Sequence, residues 1–248
     1  MDNQLTIEII YKDYTKQSVF VDSEEQAQQI LDKLKIIIPF SYMWILRCCI
    51  GNAKTILDLG CGDGSLMVVL SQGKKWKILG IDIFPGYIKI AKKRKIYHKL
   101  VLENINQAIK KLIKRREKFD VVFFSQVIEH ISKQEGEKIL DSLDKLAKKR
   151  IIVGTPRGYM NQPENFLDAN PHQVHKSGWL DQDFMQRGYK IYGVGIKQIW
   201  AEEGLARTRN KLAFIIWTII AYFLSVPVYF LPKLGAGIIA IKKIERRN

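Results

Sequence analysis

The sequence predicts an α/β fold, a parallel sheet with helices on both sides. From residue 54 onward, short apolar runs alternate with longer amphipathic ones, the pattern of parallel strands joined by crossover helices. The run Phe119-Asp-Val-Val-Phe-Phe124 is almost continuously apolar, as a strand covered on both faces requires. The stretch Thr55-Ile-Leu-Asp-Leu-Gly-Cys-Gly-Asp-Gly64 joins a strand to a helix through three glycines at every second position. Strand, glycine loop and helix together bring backbone N–H groups and a helix N-terminus up to a ligand.

Taken in order, residues 1–23 read as a short strand or irregular arm, with apolar runs at 5–10 and 18–21. Asp22-Ser-Glu-Glu25 is a helix N-terminus ahead of Ala27, Ile30, Leu31 and Leu34 at helical spacing. Pro39 breaks that helix, and 40–50 forms a second, very apolar one. A strand at 55–58 and a helix from Ser65 follow. Next come a strand at 76–81 ending at Asp82 and a helix from Pro85 to about Lys95. A short strand at 99–102 leads to a helix at 105–117, the strand at 119–124, a helix at 133–148 and a strand at 150–154. A sixth strand is expected at 189–196. No internal repeat or low-complexity stretch interrupts the series.

At 248 residues one domain with embellishments is expected. The net charge of +15 suits nucleic acid, an anionic membrane surface or an acidic substrate. The lysines cluster on expected helices, at 89–99 and 110–118, with few aromatics between them. That pattern favours solvated helix faces over a nucleic-acid groove. Cys48, Cys49 and Cys61 offer neither a disulfide framework nor zinc spacing, which fits a reducing cytoplasm. The polar start at residues 1–8 is no signal peptide.

The glycine spacing separates two cofactor classes. A dinucleotide fingerprint needs G-x-G-x-x-G, but Ser65 stands where its third glycine belongs. The motif present, Gly60-x-Gly62-x-Gly64 behind Asp58, resembles the first motif of class I S-adenosylmethionine (SAM)-dependent methyltransferases. Gly80-Ile-Asp82, the segment Phe119-Asp-Val-Val-Phe-Phe-Ser-Gln-Val-Ile-Glu-His-Ile131 and Ile152-Val-Gly-Thr-Pro-Arg157 extend the resemblance, in the family's order, over about residues 54–160. It implies a Rossmann-like, mostly parallel seven-stranded sheet whose last pair is antiparallel, with SAM as cofactor.

Carried across by position, Asp58, Gly60, Gly62 and Gly64 hold the amino-acid end of SAM. Asp82 takes the ribose hydroxyls, and Ile83 and Phe84 line the adenine. Asn104 stands where the family often has an aspartate touching the adenine amino group, and Gln126 falls near the methionine moiety. Some relatives use Glu-x-x-Glu-His at this place for a divalent metal, and His172 and His175 are available to complete such a site. Here Gln126 replaces the first carboxylate, and Glu129-His130 is read as capping a turn, with no metal assigned. Methyl transfer to an alcohol requires removal of a proton, for which histidine is well tuned. His130, His172 and His175 are three of only four histidines and are the candidate bases.

Residues 212–231 contain no charged residue, and Thr218, Ser225 and Pro227 alone interrupt the apolar run. Arg207, Arg209 and Lys211 precede it, and Lys233, Lys242, Lys243, Arg246 and Arg247 follow. The length approaches a bilayer span, yet 235–242 looks like the last sheet strand, which must return to the domain. A helical hairpin broken near Pro227 and Pro232 satisfies both and dips into one leaflet, its basic flanks meeting anionic headgroups. A spanning helix and a buried lid or dimer interface are the alternatives.

The organisation expected is therefore a helical extension at 1–50, a SAM-binding core at 51–200, an apolar membrane-associating insertion at 201–233 and a last strand with basic tail at 234–248. The function expected is SAM-dependent O-methylation of a membrane-proximal acceptor, a lipid or lipid-linked glycan, at the cytoplasmic face of a membrane. A cytoplasmic RNA or small-metabolite methyltransferase and a non-catalytic SAM-binding module at the membrane are the competing readings.

Overall fold

The computed structural model describes residues 36–161, 170–200, 204–205, 208 and 210–245. The short strand or irregular arm expected at 1–23, most of the helix begun at Asp22, and the flanking Arg207, Arg209, Arg246 and Arg247 lie outside them.

Seven strands form one sheet in the order β3-β2-β1-β4-β5-β7-β6. They are β1 (Thr55–Leu59), β2 (Lys77–Asp82), β3 (Lys99–Leu102), β4 (Phe119–Ser125), β5 (Ala147–Pro156), β6 (Lys190–Ile196) and β7 (Gly235–Lys243). The first five are parallel, while β7 runs antiparallel between β5 and β6. Both faces of β4 are buried, as its continuous apolar run requires. Val122 and Phe124 join Leu57, Leu59, Ile151 and Val153 in one core layer. That layer packs on α4 (Ile105–Lys114) and α5 (Lys133–Leu143). Val121 and Phe123 face the opposite layer with Ile56, Ile152 and Ile239, beneath α1 (Tyr42–Ile50) and α2 (Ser65–Leu70). The remaining crossover, α3 (Pro85–Lys93), links β2 to β3.

Several element ends depart from the sequence expectation for local reasons. Phe40 has positive φ, and the Ser41 hydroxyl caps α1 by accepting from Trp44 N–H at 3.1 Å, so that helix begins at Tyr42. Lys95 and Arg116 adopt left-handed backbone at φ 54° and 55°, just past the ends of α3 and α4. Strand β5 begins three residues early because Ala147 pairs with Phe119, across a register shift before Val121.

After β5 the chain is pinned by Trp179, which is fully buried. Its indole N–H reaches the Ser177 hydroxyl at 2.9 Å and the Ile128 carbonyl at 3.3 Å. Lys133 Nζ lies 3.8 Å from the ring centroid, a cation–π contact. Gly136 lets the ring approach, since a Cβ there would stand 2.5 Å from Trp179 Cζ2. Segment 170–180, with His172 and His175, is thereby fixed against the turn that follows β4. Behind it lie the short α6 (Asp181–Met185) and, after β6, the single-turn α7 (Lys197–Trp200).

The apolar stretch at 212–231 is two helices, α8 (Lys211–Phe223) and α9 (Ser225–Phe230), divided at Leu224. Pro232 then opens a 3-10 turn into β7. A helix of 13 residues is only ~20 Å long, against ~30 Å of hydrocarbon. No helix among the described residues is long and apolar enough to cross a membrane. Phe214, Trp217, Ile220 and Ala221 of α8 pack on Ile199 and Trp200, while Leu212, Ile216, Ile219 and Phe223 form an exposed stripe along the outer face.

Replacing Trp179 by alanine should lower stability by about 3–5 kcal/mol, because the site cannot collapse around so large a loss. Urea unfolding monitored by circular dichroism measures it.

Candidate active site

A cavity of about 600 Å³ opens where the strand order reverses, between β1 and β4, at the carboxyl ends of the strands. Open α/β sheets bind ligands at this switch point, and the volume lies in the ~300–1,000 Å³ range of small-molecule sites. Asp58, Gly60, Gly62, Asp82, Ile83, Asn104, Gln126, His130 and His172 all line it. Gly64, Phe84 and His175 stand back from the wall. Gly64 begins α2 and turns toward Tyr97, Phe84 packs edge-on against Tyr87, and His175 lies behind His130 with ring centroids 4.8 Å apart.

The loop after β1 is shaped by its glycines. Gly60 has φ 70°, and a Cβ there would stand 2.4 Å from Val127 Cγ2. Gly62 has φ 55°, and among the described residues none beyond its two chain neighbours comes within 4 Å of where its Cβ would be, so its backbone lies open to a ligand. Asp82 ties this loop to the next, accepting the Gly62 N–H at 2.8 Å on one oxygen and the Phe84 N–H at 2.9 Å on the other. Each oxygen keeps a further acceptor position for a ribose hydroxyl. Burial raises the Asp82 pKa, opposed by these N–H bonds. Arg94 braces the same loop through an ion pair with Asp63 at 2.5 Å.

Asp58 is buried at the end of β1 and accepts the Tyr97 hydroxyl at 2.8 Å. Burial pushes its pKa up to about 7, the Tyr97 bond resisting and the Asp82 charge adding. Asn104 caps α4, its side-chain oxygen accepting the Asn106 N–H at 2.9 Å. The amide NH₂ remains to donate, so Asn104 suits a ring-nitrogen acceptor better than the amino group an aspartate would take.

The other end of the cavity is built from distant parts of the chain. Gln126 holds left-handed backbone at φ 57° and donates to the Tyr42 hydroxyl at 3.1 Å. Tyr42 also contacts the Ser125 hydroxyl at 2.5 Å, and burial pushes its pKa up to about 12. Glu129 is 2% exposed and accepts the Thr155 hydroxyl at 3.1 Å. Burial pushes its pKa up to about 8. His130 is pushed down to about 4, by burial first and then by His175, so it is a neutral imidazole at physiological pH. Motif reading assigns no role to Tyr42, Tyr97 or Thr155, for their partners are set by folding alone.

Residues 56–150 match the family model of a methyltransferase domain. Over that span the chain carries a methyltransferase domain. A SAM-dependent methyltransferase from Archaeoglobus fulgidus superposes with a TM-score of 0.54 at 16% identity, over 90% of this chain and 100% of the other. An O-methyltransferase family protein from Burkholderia thailandensis gives 0.50 at 11% identity, over 91% of this chain and 62% of the other. At these identities the likeness is one of fold. No curated protein matches by sequence. The methyltransferase core thus has the seven-stranded sheet that its motifs imply, and the open Gly62 backbone with the two part-free Asp82 oxygens fits SAM.

The cofactor-free methyltransferase should lose stability as pH rises from about 4 to 8. A buried carboxyl whose folded pKa lies above its unfolded value holds its proton more tightly when folded, so its contribution is full at low pH and vanishes as it ionises. Asp58 acts this way up to about pH 7 and Glu129 up to about pH 8. His130, depressed to about 4, works oppositely, losing stability as pH falls below its unfolded value. Urea midpoints of wild type and Asp58→Asn across this range isolate the Asp58 part, which should appear as a flatter profile in the variant.

Proposed function

We propose that this methyltransferase moves the methyl group of SAM to a hydroxyl of a membrane-proximal acceptor, a lipid or lipid-linked glycan, at the cytoplasmic face of a membrane. The carrying observation is the continuity between cavity and apolar hairpin. Tyr42 and Met43 line the cavity, while Phe40 and Trp44 of the same segment lie against each other at 5.4 Å. Phe40 in turn packs on Tyr229 at 5.2 Å and Phe230 at 6.2 Å. One layer of aromatic rings therefore separates the site from a surface that exposes Phe223, Val226, Phe230 and Leu231. Clustered exposed apolar side chains of this kind mark interaction surfaces. Lys233 is exposed beside it, and the net charge of +15 favours anionic headgroups.

SAM bound in the cavity would supply a methyl group on a sulfonium: an acceptor oxygen would attack that carbon in line, one O–C bond forming as one C–S bond breaks and S-adenosylhomocysteine leaves, and the acceptor would give up one proton. The loop glycines, Asp58 and Asp82 orient the electrophile, which is where most of the rate enhancement of such a displacement lies. The proton goes to an imidazole facing the cavity, His130 or His172. His175 acts on His130 from behind.

Asp82→Ala should weaken SAM binding by roughly 1.5–3 kcal/mol for each charge-assisted bond lost, read by calorimetry, with NAD failing to bind either protein. Replacing the imidazole that takes the proton should cost ~10²–10⁴ in kcat with SAM affinity kept. Incubated with tritiated SAM and a membrane-plus-cytosol extract, the enzyme should place label in the chloroform-extractable fraction. It should also float with anionic vesicles, and the charged pair Phe223→Glu/Phe230→Glu should abolish flotation. Label confined to RNA or water-soluble metabolites would replace the acceptor class while leaving the methyl transfer intact.

A further inference from the structure

The turn between α3 and β3 lies behind the cofactor loop and holds it at two places. The His98 N–H donates to the Ile78 carbonyl at 2.9 Å, which fixes this turn against β2. Arg94 Nε donates to the Asp63 carbonyl at 2.8 Å, beside its ion pair with the Asp63 carboxylate. Tyr97 reaches deeper, and its hydroxyl donates to Oδ2 of Asp58 at 2.8 Å.

Two glycines make room for that ring. Asp58 and Gly80 are register partners on β1 and β2, so their side-chain positions share one face of the sheet. A Cβ at Gly80 would stand 2.8 Å from Tyr97 Cδ1, and one at Gly64 would stand 2.9 Å from Tyr97 Cε2. The ring takes the space that a side chain at Gly80 would fill, next to Asp58. Burial and then the Asp58 charge raise the Tyr97 pKa, so the phenol keeps its proton and always donates. Asp58 is 4% exposed, and its Oδ1 takes no hydrogen bond among the described residues. None of the groups around it supplies a countercharge. Asp82 on β2 adds negative charge, burial raises the Cys61 thiol and keeps it neutral, Arg94 is paired with Asp63, and His172 acts on Asp82. A buried carboxylate without a cation is costly, and this one lines the cavity.

We propose that Tyr97 is a positioning residue for the methyl donor: by holding Oδ2 it favours the charged Asp58 carboxylate and leaves Oδ1 to the α-ammonium of SAM. This role rests on the reading that Asp58 holds the amino-acid end of SAM. A hydrogen bond to the ionised form favours that form, so Tyr97 opposes the burial that drives Asp58 up to about 7. The α-ammonium is the missing countercharge, on the other oxygen. SAM binding and Asp58 ionisation are thereby coupled. Affinity rises with pH as Asp58 loses its proton, and Tyr97 sets where on the pH scale that rise falls. Phenylalanine at position 97 keeps a ring in the slot and removes the hydroxyl alone.

The test is calorimetric titration of SAM into the full chain across neutral pH, with no activity required. In wild type the affinity should climb as pH rises through about 7. Tyr97→Phe should move that climb about one to two pH units higher, the size of one hydrogen bond to a charged group, and weaken SAM binding ~5–50-fold at neutral pH. Asp58→Asn should weaken binding and remove the climb. Circular dichroism checks the fold of both variants. A loss in Tyr97→Phe by the same factor at every pH, with the climb where wild type has it, makes the hydroxyl merely structural and overturns the proposal. Wild-type affinity throughout in Tyr97→Phe, while Asp58→Asn loses the climb, overturns the role of Tyr97 and leaves that of Asp58 standing. If Asp58→Asn binds SAM as wild type does at every pH, the placing of Asp58 at the amino-acid end falls, and the role of Tyr97 with it.

Discussion

Two backbone N–H groups accepted by one carboxylate set the geometry of the whole cofactor end. Asp82 receives Gly62 from the loop after β1 and Phe84 from the loop after β2. The same turn is held from the other side, where Gly60 and Cys61 both donate to the Ile81 carbonyl at 2.8 and 3.0 Å. Two adjacent parallel strands thus end in loops that are bonded to each other as well as to their own strands. A side chain that would serve a cofactor hydroxyl is thereby locked before any ligand arrives, which is the preorganisation that spares ordering cost on binding.

Local signals made this half of the molecule legible in the sequence. Apolar runs bounded by glycine and charge located every strand from β1 to β7, and Pro85 and Asn104 marked helix starts through fixed backbone geometry and capping. Asp58, Gly60, Gly62 and Asp82 reach the cavity wall because each lies within a few residues of its own strand end. Element ends were less legible. The pairing of Ala147 with Phe119 and the left-handed Lys95 and Arg116 are settled by neighbours in space or by backbone conformations that ordinary lysine and arginine do not advertise.

The acceptor end resisted sequence reading for a related reason. Tyr42 meets Ser125 across 83 positions of chain, and Tyr97 meets Asp58 across 39. No spacing rule connects such partners. The three histidines looked like one group because they are scarce. Folding instead divides them: His172 goes to the Asp82 side, and His175 is carried by the Trp179 anchor to the back of His130. Which histidines share an environment is a property of how segment 170–180 lies on the turn after β4.

The antiparallel placement of β7 has a consequence for the order in which the protein can be made. Among the described residues, strand β6 bonds only to β7, and the outer edge of β5 bonds only to β7. Nearly forty residues, including both apolar helices, lie between the end of β6 and the start of β7. During synthesis, which runs from the N-terminus, β5 therefore presents a bare edge and β6 has nowhere to pair until the hairpin has emerged. An open edge and an uncovered apolar hairpin coexist for that interval, the combination from which aggregation starts. Early capture of the hairpin, by a chaperone or a lipid surface, would protect the nascent chain at the stage when its own sheet cannot.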